Sequence, residues 1–196
     1  MKPLVSIRAV IEEHTRSLIR ERDLQHCLAV TERLLLDIPT TPYHRILSLD
    51  FTNCPQDTAA FLDDWIDEHD LSDSTPSGSS YVQMNGFDGN ADQWHFHWFA
   101  YSRAPSNFDY SYLGDGWVSE DKPETVLLGM EELQQIYRAR DQRPEFSFAE
   151  DVCSWMVVFR FLSFMRAVGD RMRDRRRPLV VSVHNWDPML ELFRDR

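Results

Sequence analysis

The sequence predicts an α+β fold: a mixed or antiparallel sheet of four to five strands with a central hairpin, packed against several helices. Three observations lead there. Apolar residues recur at helical spacing near the N-terminus and again over 146–168. Two strand-like segments, Tyr81–Phe87 and Gln93–Ser102, flank turn chemistry at 88–92 (DGNAD). Pro178–His184 (PLVVSVH) is rich in β-branched residues and reads as a further strand. The chain has 196 residues, 42% of them hydrophobic, which suits one domain with a substantial core and excludes disorder for the bulk of it.

Taken in order, residues 5–36 place Ile11, Leu18, Ile19, Leu24, Leu28 and Leu35 on an apolar stripe, as two helices or one bent helix ending before Pro39. Arg45–Thr52 (RILSLDFT) alternates and reads as a strand. Asn53–Asp70 reads as a helix capped by Asn53, with Phe61, Leu62, Trp65 and Ile66 buried and the acids outward. The second hairpin strand points Trp94, Phe96, Trp98 and Ala100 one way and His95, His97, Phe99 and Tyr101 the other. Both faces are therefore covered and the strand is central. Residues 104–122 form a long loop, the kind of segment that carries function. A short strand in 124–129, a short helix over 131–140, a core helix over 146–168 and a C-terminal helix over 188–193 complete the reading.

Composition narrows the function. Three cysteines without CxxC spacing argue against a disulfide scaffold or structural zinc and fit a reducing compartment. Charges return too soon after Met1 for a signal peptide. The most apolar stretch, 152–165, is short for a membrane span and holds Arg160. A cytoplasmic protein with no membrane partner is expected. No GxSxG, P-loop, GxGxxG or HExxH occurs, so no enzyme class is assigned.

The net charge is −11, and residues 46–121 hold one basic residue, Arg103, against 14 acidic ones. Segregation of one sign is what a steering field for a cationic partner requires. The candidate partner-binding residues are Asp63, Asp64, Asp67, Glu68 and Asp70 on the acidic helix, Asp88 and Asp92 at the hairpin turn, and Asp109, Tyr110, Tyr112, Asp115, Glu120 and Asp121 in the long loop. The tyrosines supply contact area at low entropic cost, and the carboxylates orient a cationic partner. The arginines of 171–177 could meet nucleic-acid phosphates, but a pI near 5.0 speaks against that. They suit a helix C-terminus, or the acidic face of a second copy in a homodimer.

In size, acidity, aromatic content and want of a catalytic signature, the chain resembles bacterial immunity proteins of polymorphic toxin systems, at the level of that class. The resemblance implies an inhibitor that plugs the basic cleft of a cognate toxin effector, with no cofactor and no nucleic acid involved. The alternative is a metal-dependent hydrolase using His95 and His97 with a carboxylate such as Asp92, or with His44 or His184. Two ligands of a needed three or four also fit a plain polar pair on a half-covered sheet face.

Overall fold

The computed structural model describes residues 7–72, 78–85, 92–105, 109–114, 119–120, 125–173, 177–186 and 190–193, with 69–72 and 119–120 as backbone alone. Helix α1 (Ile7–Arg20) buries Ile11, Thr15 and Ile19, one residue per turn. Arg22, at φ 62°, turns the chain sharply. Asp23 then starts α2 (Leu24–Leu36) by accepting the His26 amide at 3.1 Å. The N-terminal segment is thus two helices rather than one bent one, because that left-handed residue breaks the ladder.

The sheet has the order β3-β2-β1-β5-β6, with β4 also pairing β2. The hairpin strands β1 (Ser79–Met84) and β2 (His95–Tyr101) pair from Ser79↔Tyr101 to Met84↔Phe96. Strand β2 also pairs with β3 (Ser119–Glu120) and β4 (Thr125–Val126), which follow one another along its outer edge. On the other side β5 (Leu179–Val183) runs parallel to β1, and β6 (Leu190–Leu192) runs antiparallel to β5. A mixed sheet of this order, packed on helices, is an α+β fold.

The alternation read from β2 holds. Phe96, Trp98 and Ala100 enter the main core with Val82, Met84, Val181 and Val183. Phe99 and Tyr101 join Tyr81, Val180 and Tyr112 in a second cluster on the opposite face. Helix α4 (Glu131–Arg138) is short, and the longer α5 (Ser147–Gly169) fills the main core, with 15 of its 23 residues buried. Pro144–Gly169 is long and apolar enough to cross a membrane, yet 78% of its most apolar window is buried inside the fold. A helix apolar all round and enclosed by α1, α2, α3 and the sheet is a core helix.

Three local expectations fail. Residues 42–48 form a 3₁₀ helix, where a strand was expected from 45. Pro42 sits in its first turn, the Thr41 hydroxyl accepts the Tyr43 amide, and Tyr43 and Ile46 bury together one 3₁₀ turn apart. Of the 188–193 segment, the described residues 190–193 hold strand β6 instead of the expected helix, because pairing with β5 overrides a weak local preference. Asn53 does not cap α3 (Pro55–Ser72). Its side chain donates to the Val126 carbonyl at 2.9 Å and accepts the Leu128 amide at 2.8 Å, tying residues 50–53 to the segment after β4.

At the other end of α5, Tyr43 Oη donates to Glu150 at 3.1 Å. Burial raises the Glu150 pKa above the usual carboxyl range, against the Tyr43 hydrogen bond and the Arg140 charge. A folded-state carboxyl pKa above its unfolded value favours folding at low pH, and that contribution is lost as pH rises through the raised pKa. Glu150→Gln is therefore expected to flatten the fall in stability from pH 4 towards neutrality. Urea midpoints across that range check it, and an unchanged slope would refute it.

Candidate functional site

Helix α3 is amphipathic in a way that divides its acids. Thr58, Ala59, Leu62, Trp65 and Ile66 face the core, and Asp63 goes with them, only 3% exposed. Its carboxylate accepts the Arg173 backbone amide with both oxygens, at 3.1 and 2.9 Å, and the Arg173 Nε–H at 3.2 Å. The same guanidinium reaches Asp64 at 2.9 Å and Asp67 at 3.4 Å. One arginine thus meets three carboxylates, and they raise its pKa, the hydrogen bond to Asp63 first. Asp63 belongs to the interior and leaves the proposed contact surface. Its burial was legible in the spacing, since position 63 follows Ala59 by four and precedes Ile66 by three.

The outward side of α3 keeps Asp57, Asp64, Asp67 and Glu68 exposed. Phe61, expected in the buried stripe, is 41% exposed instead. Positions 57, 61, 64 and 68 lie on one helical row, so an aromatic ring stands in a line of carboxylates. The Asp70 side chain lies outside the described residues.

The other acids are dispersed. Asp92 pairs with Arg138 Nε at 3.1 Å and accepts a second arginine N–H through its backbone carbonyl at 2.7 Å. Asp109 accepts the Ser111 amide at 3.0 Å, which lowers its pKa. Tyr110 Oη donates to Glu191 at 3.1 Å. Tyr112 is buried at 5% exposure and accepts the Ser79 hydroxyl at 3.2 Å, so it packs under the loop rather than offering contact area. Asp88, Asp115 and Asp121 lie outside the described residues, as does the side chain of Glu120. Among the described residues the middle-third acids therefore do not share one surface: Asp50, Asp63 and Asp92 are met by Arg160, Arg173 and Arg138, and Arg173 also reaches Asp64 and Asp67.

The described start of the basic segment, Arg171, behaves as part of a helix terminus. Arg171 donates to the Ala167 carbonyl at 2.6 Å, in the last turn of α5. Cys27 and Cys153 are buried, and burial raises each thiol pKa to about 12. Cys54 is exposed.

His95 and His97 do share a face of β2. Their Nε2 atoms are 3.1 Å apart, and His95 Nδ1 lies 3.2 Å from the Gln93 carbonyl. Of the proposed third ligands, Asp92 is paired with Arg138 and His44 Nε2 is bonded to the Leu35 carbonyl at 2.9 Å. Among the described residues, no group of three or more His, Cys, Asp or Glu is placed to hold a metal ion.

A cleft of about 460 Å³ opens between α2, α5 and the start of α3, lined in part by Glu32, Asp50, Phe51, Arg160, Ser163 and Phe164. Arg160 spans its base, bonded to Asp50 at 3.3 Å and to the Ile46 carbonyl at 3.2 Å.

Fold and surface together define an α+β protein with one acidic, aromatic-bearing helix face. No family model matches the chain, and no curated protein or solved structure matches it either.

Proposed function

We propose that the chain is an immunity-type inhibitor, acting in the bacterial cytoplasm, that captures a basic toxin effector through the outward row of α3. The observation that carries this reading is Phe61, a large ring left 41% exposed among Asp57, Asp64 and Glu68. An exposed aromatic in a charged surround is how protein–protein hot spots are built. The carboxylates supply long-range attraction and bidentate acceptors for arginine. The reading narrows the interface expected from the sequence: Asp64, Asp67 and Glu68 remain in it, with Phe61 and Asp57 added. Tyr112 and Asp63 drop out.

The test uses the C-terminal toxin domain of a secreted protein encoded beside this gene, with association measured at 0.05 and 0.3 M salt. Association is expected to slow at least about tenfold at the higher salt, because screening removes steering between exposed charges. Asp64→Lys with Glu68→Lys is expected to weaken capture by about a hundredfold or more, since each reversal adds repulsion to a lost attraction. Capture that survives the reversal with an unchanged salt dependence refutes the α3 surface.

A further inference from the structure

We propose that His95 and His97 form a binding site for a divalent transition-metal ion, Cu(II) above all, with part of its coordination sphere left open. The pair sits at alternate positions of β2, so both imidazoles leave the sheet on one side. Their Nε2 atoms are 3.1 Å apart, the ring centres 4.9 Å apart, and the planes 78° to one another. The two nitrogens are hydrogen-bonded to one another, and the same separation lets both reach one ion: two Nε2 atoms 3.1 Å apart, each about 2.05 Å from a shared ion, subtend about 98° at it.

The tautomer suits this role. The Gln93 carbonyl can only accept, so His95 Nδ1 donates to it and the lone pair stands on Nε2, towards His97. The His97 Nε2–H donates to that lone pair, and an incoming ion takes the place of this proton, which moves to His97 Nδ1, so that both Nε2 atoms become ligands. Both rings are held in place. His95 is 7% exposed, its backbone amide is bonded to Asn85 Oδ1 at 3.0 Å, and its cross-strand neighbour is Val126. His97 faces Gln83 across the hairpin and lies 6.1 Å from the Phe99 ring, centre to centre. Such a pair chelates without first ordering its ligands. Among the described residues, two imidazoles fall short of the four ligands of a structural zinc site, so a further donor or water completes the sphere. Among first-row divalent ions, an imidazole site holds Cu(II) most tightly.

The experiment is a titration of the metal-stripped chain with Cu(II) in a glycine buffer, read by the copper visible band and by electron paramagnetic resonance. The expected result is one equivalent bound through two nitrogens, at least about a hundredfold tighter than to the His95→Gln/His97→Gln double variant. His97→Gln alone, at a half-exposed position, should fall nearly as far while keeping the wild-type far-ultraviolet dichroism. Equal affinity in wild type and variants overturns the assignment. A second reading needs no variant: in wild-type NMR spectra, substoichiometric Cu(II) should first broaden the resonances of Gln83, Val126 and Phe99, next to the pair. Broadening centred on the surface histidines His14 and His26 overturns it as well. The site stands apart from the α3 surface, so the Asp64→Lys/Glu68→Lys chain should bind Cu(II) like wild type.

Discussion

Gly129→Ala is expected to lower the unfolding free energy by about 4 kcal/mol, combining backbone strain with overpacking. Gly129 has φ +96°, a region that side-chain-bearing residues enter only under strain. A Cβ there would stand 2.3 Å from the Asp50 carbonyl oxygen and 2.8 Å from the Thr52 Cγ2. Neither obstacle is the free end of a long side chain. The Thr52 amide donates to the Leu128 carbonyl at 3.0 Å, and Asn53 clamps the same segment from its other side. To admit the methyl group the chain must part residues 50–53 from 126–129, which also disturbs the Asp50–Arg160 pair at the base of the cleft. Urea unfolding followed by tryptophan fluorescence should show a much lower midpoint with the slope retained. A midpoint close to wild type would mean that the close approach of the two segments is absent in solution.

The second large effect is expected at Asp63. Asp63→Ala should cost about 2–3 kcal/mol, because it takes from a part-buried backbone amide, that of Arg173, the buried carboxylate that accepts it. Asp64→Ala, one residue on and bonded to the same guanidinium, should cost no more than about 1 kcal/mol, as exposed ion pairs do. The 64% exposure of the Arg173 side chain and the 4% exposure of the Asp63 side chain set the contrast: the amide, not the guanidinium, is what Asp63 chiefly serves. Equal costs for the two alanines, measured by the same urea midpoints, would disprove that division.

The parts of the fold that were legible in advance are those whose pattern repeats. Strand β2 writes its two faces in alternate letters, and the structure sorts Phe96, Trp98 and Ala100 from Phe99 and Tyr101 accordingly. Helix α5 is apolar on every side over 152–165 save for Arg160, a stretch too short for the bilayer and suited to an enclosed helix. Where the pattern was short, local reading failed. Ile46, Leu47, Leu49 and Phe51 look like a strand, but Pro42 and Thr41 start a 3₁₀ turn just ahead of them. Leu190–Leu192 owes its strand conformation to β5, whose influence no window around residue 190 contains. The acidic surface was half legible for the same reason. Charge density along the chain is local, but the arginines that meet Asp50, Asp63 and Asp92 come from positions 160, 173 and 138. Helical spacing did carry a usable signal, which would have moved Asp63 inward and Phe61 outward had each position been set against its neighbours three and four away.

The parallel ladder at the heart of the sheet has a consequence for assembly. Ser80 lies opposite Leu179 and Met84 opposite Val183, so β1 waits for a neighbour made about a hundred residues later. During synthesis the β1–β2 hairpin can form as soon as it emerges, with one row of amides and carbonyls along β1 still open. Until β5 arrives to zip that row shut, the nascent chain exposes a sticky margin that includes Val82 and Met84. Correct maturation of this protein therefore hinges on β5, and on how well the ribosome-bound precursor is shielded before β5 is released.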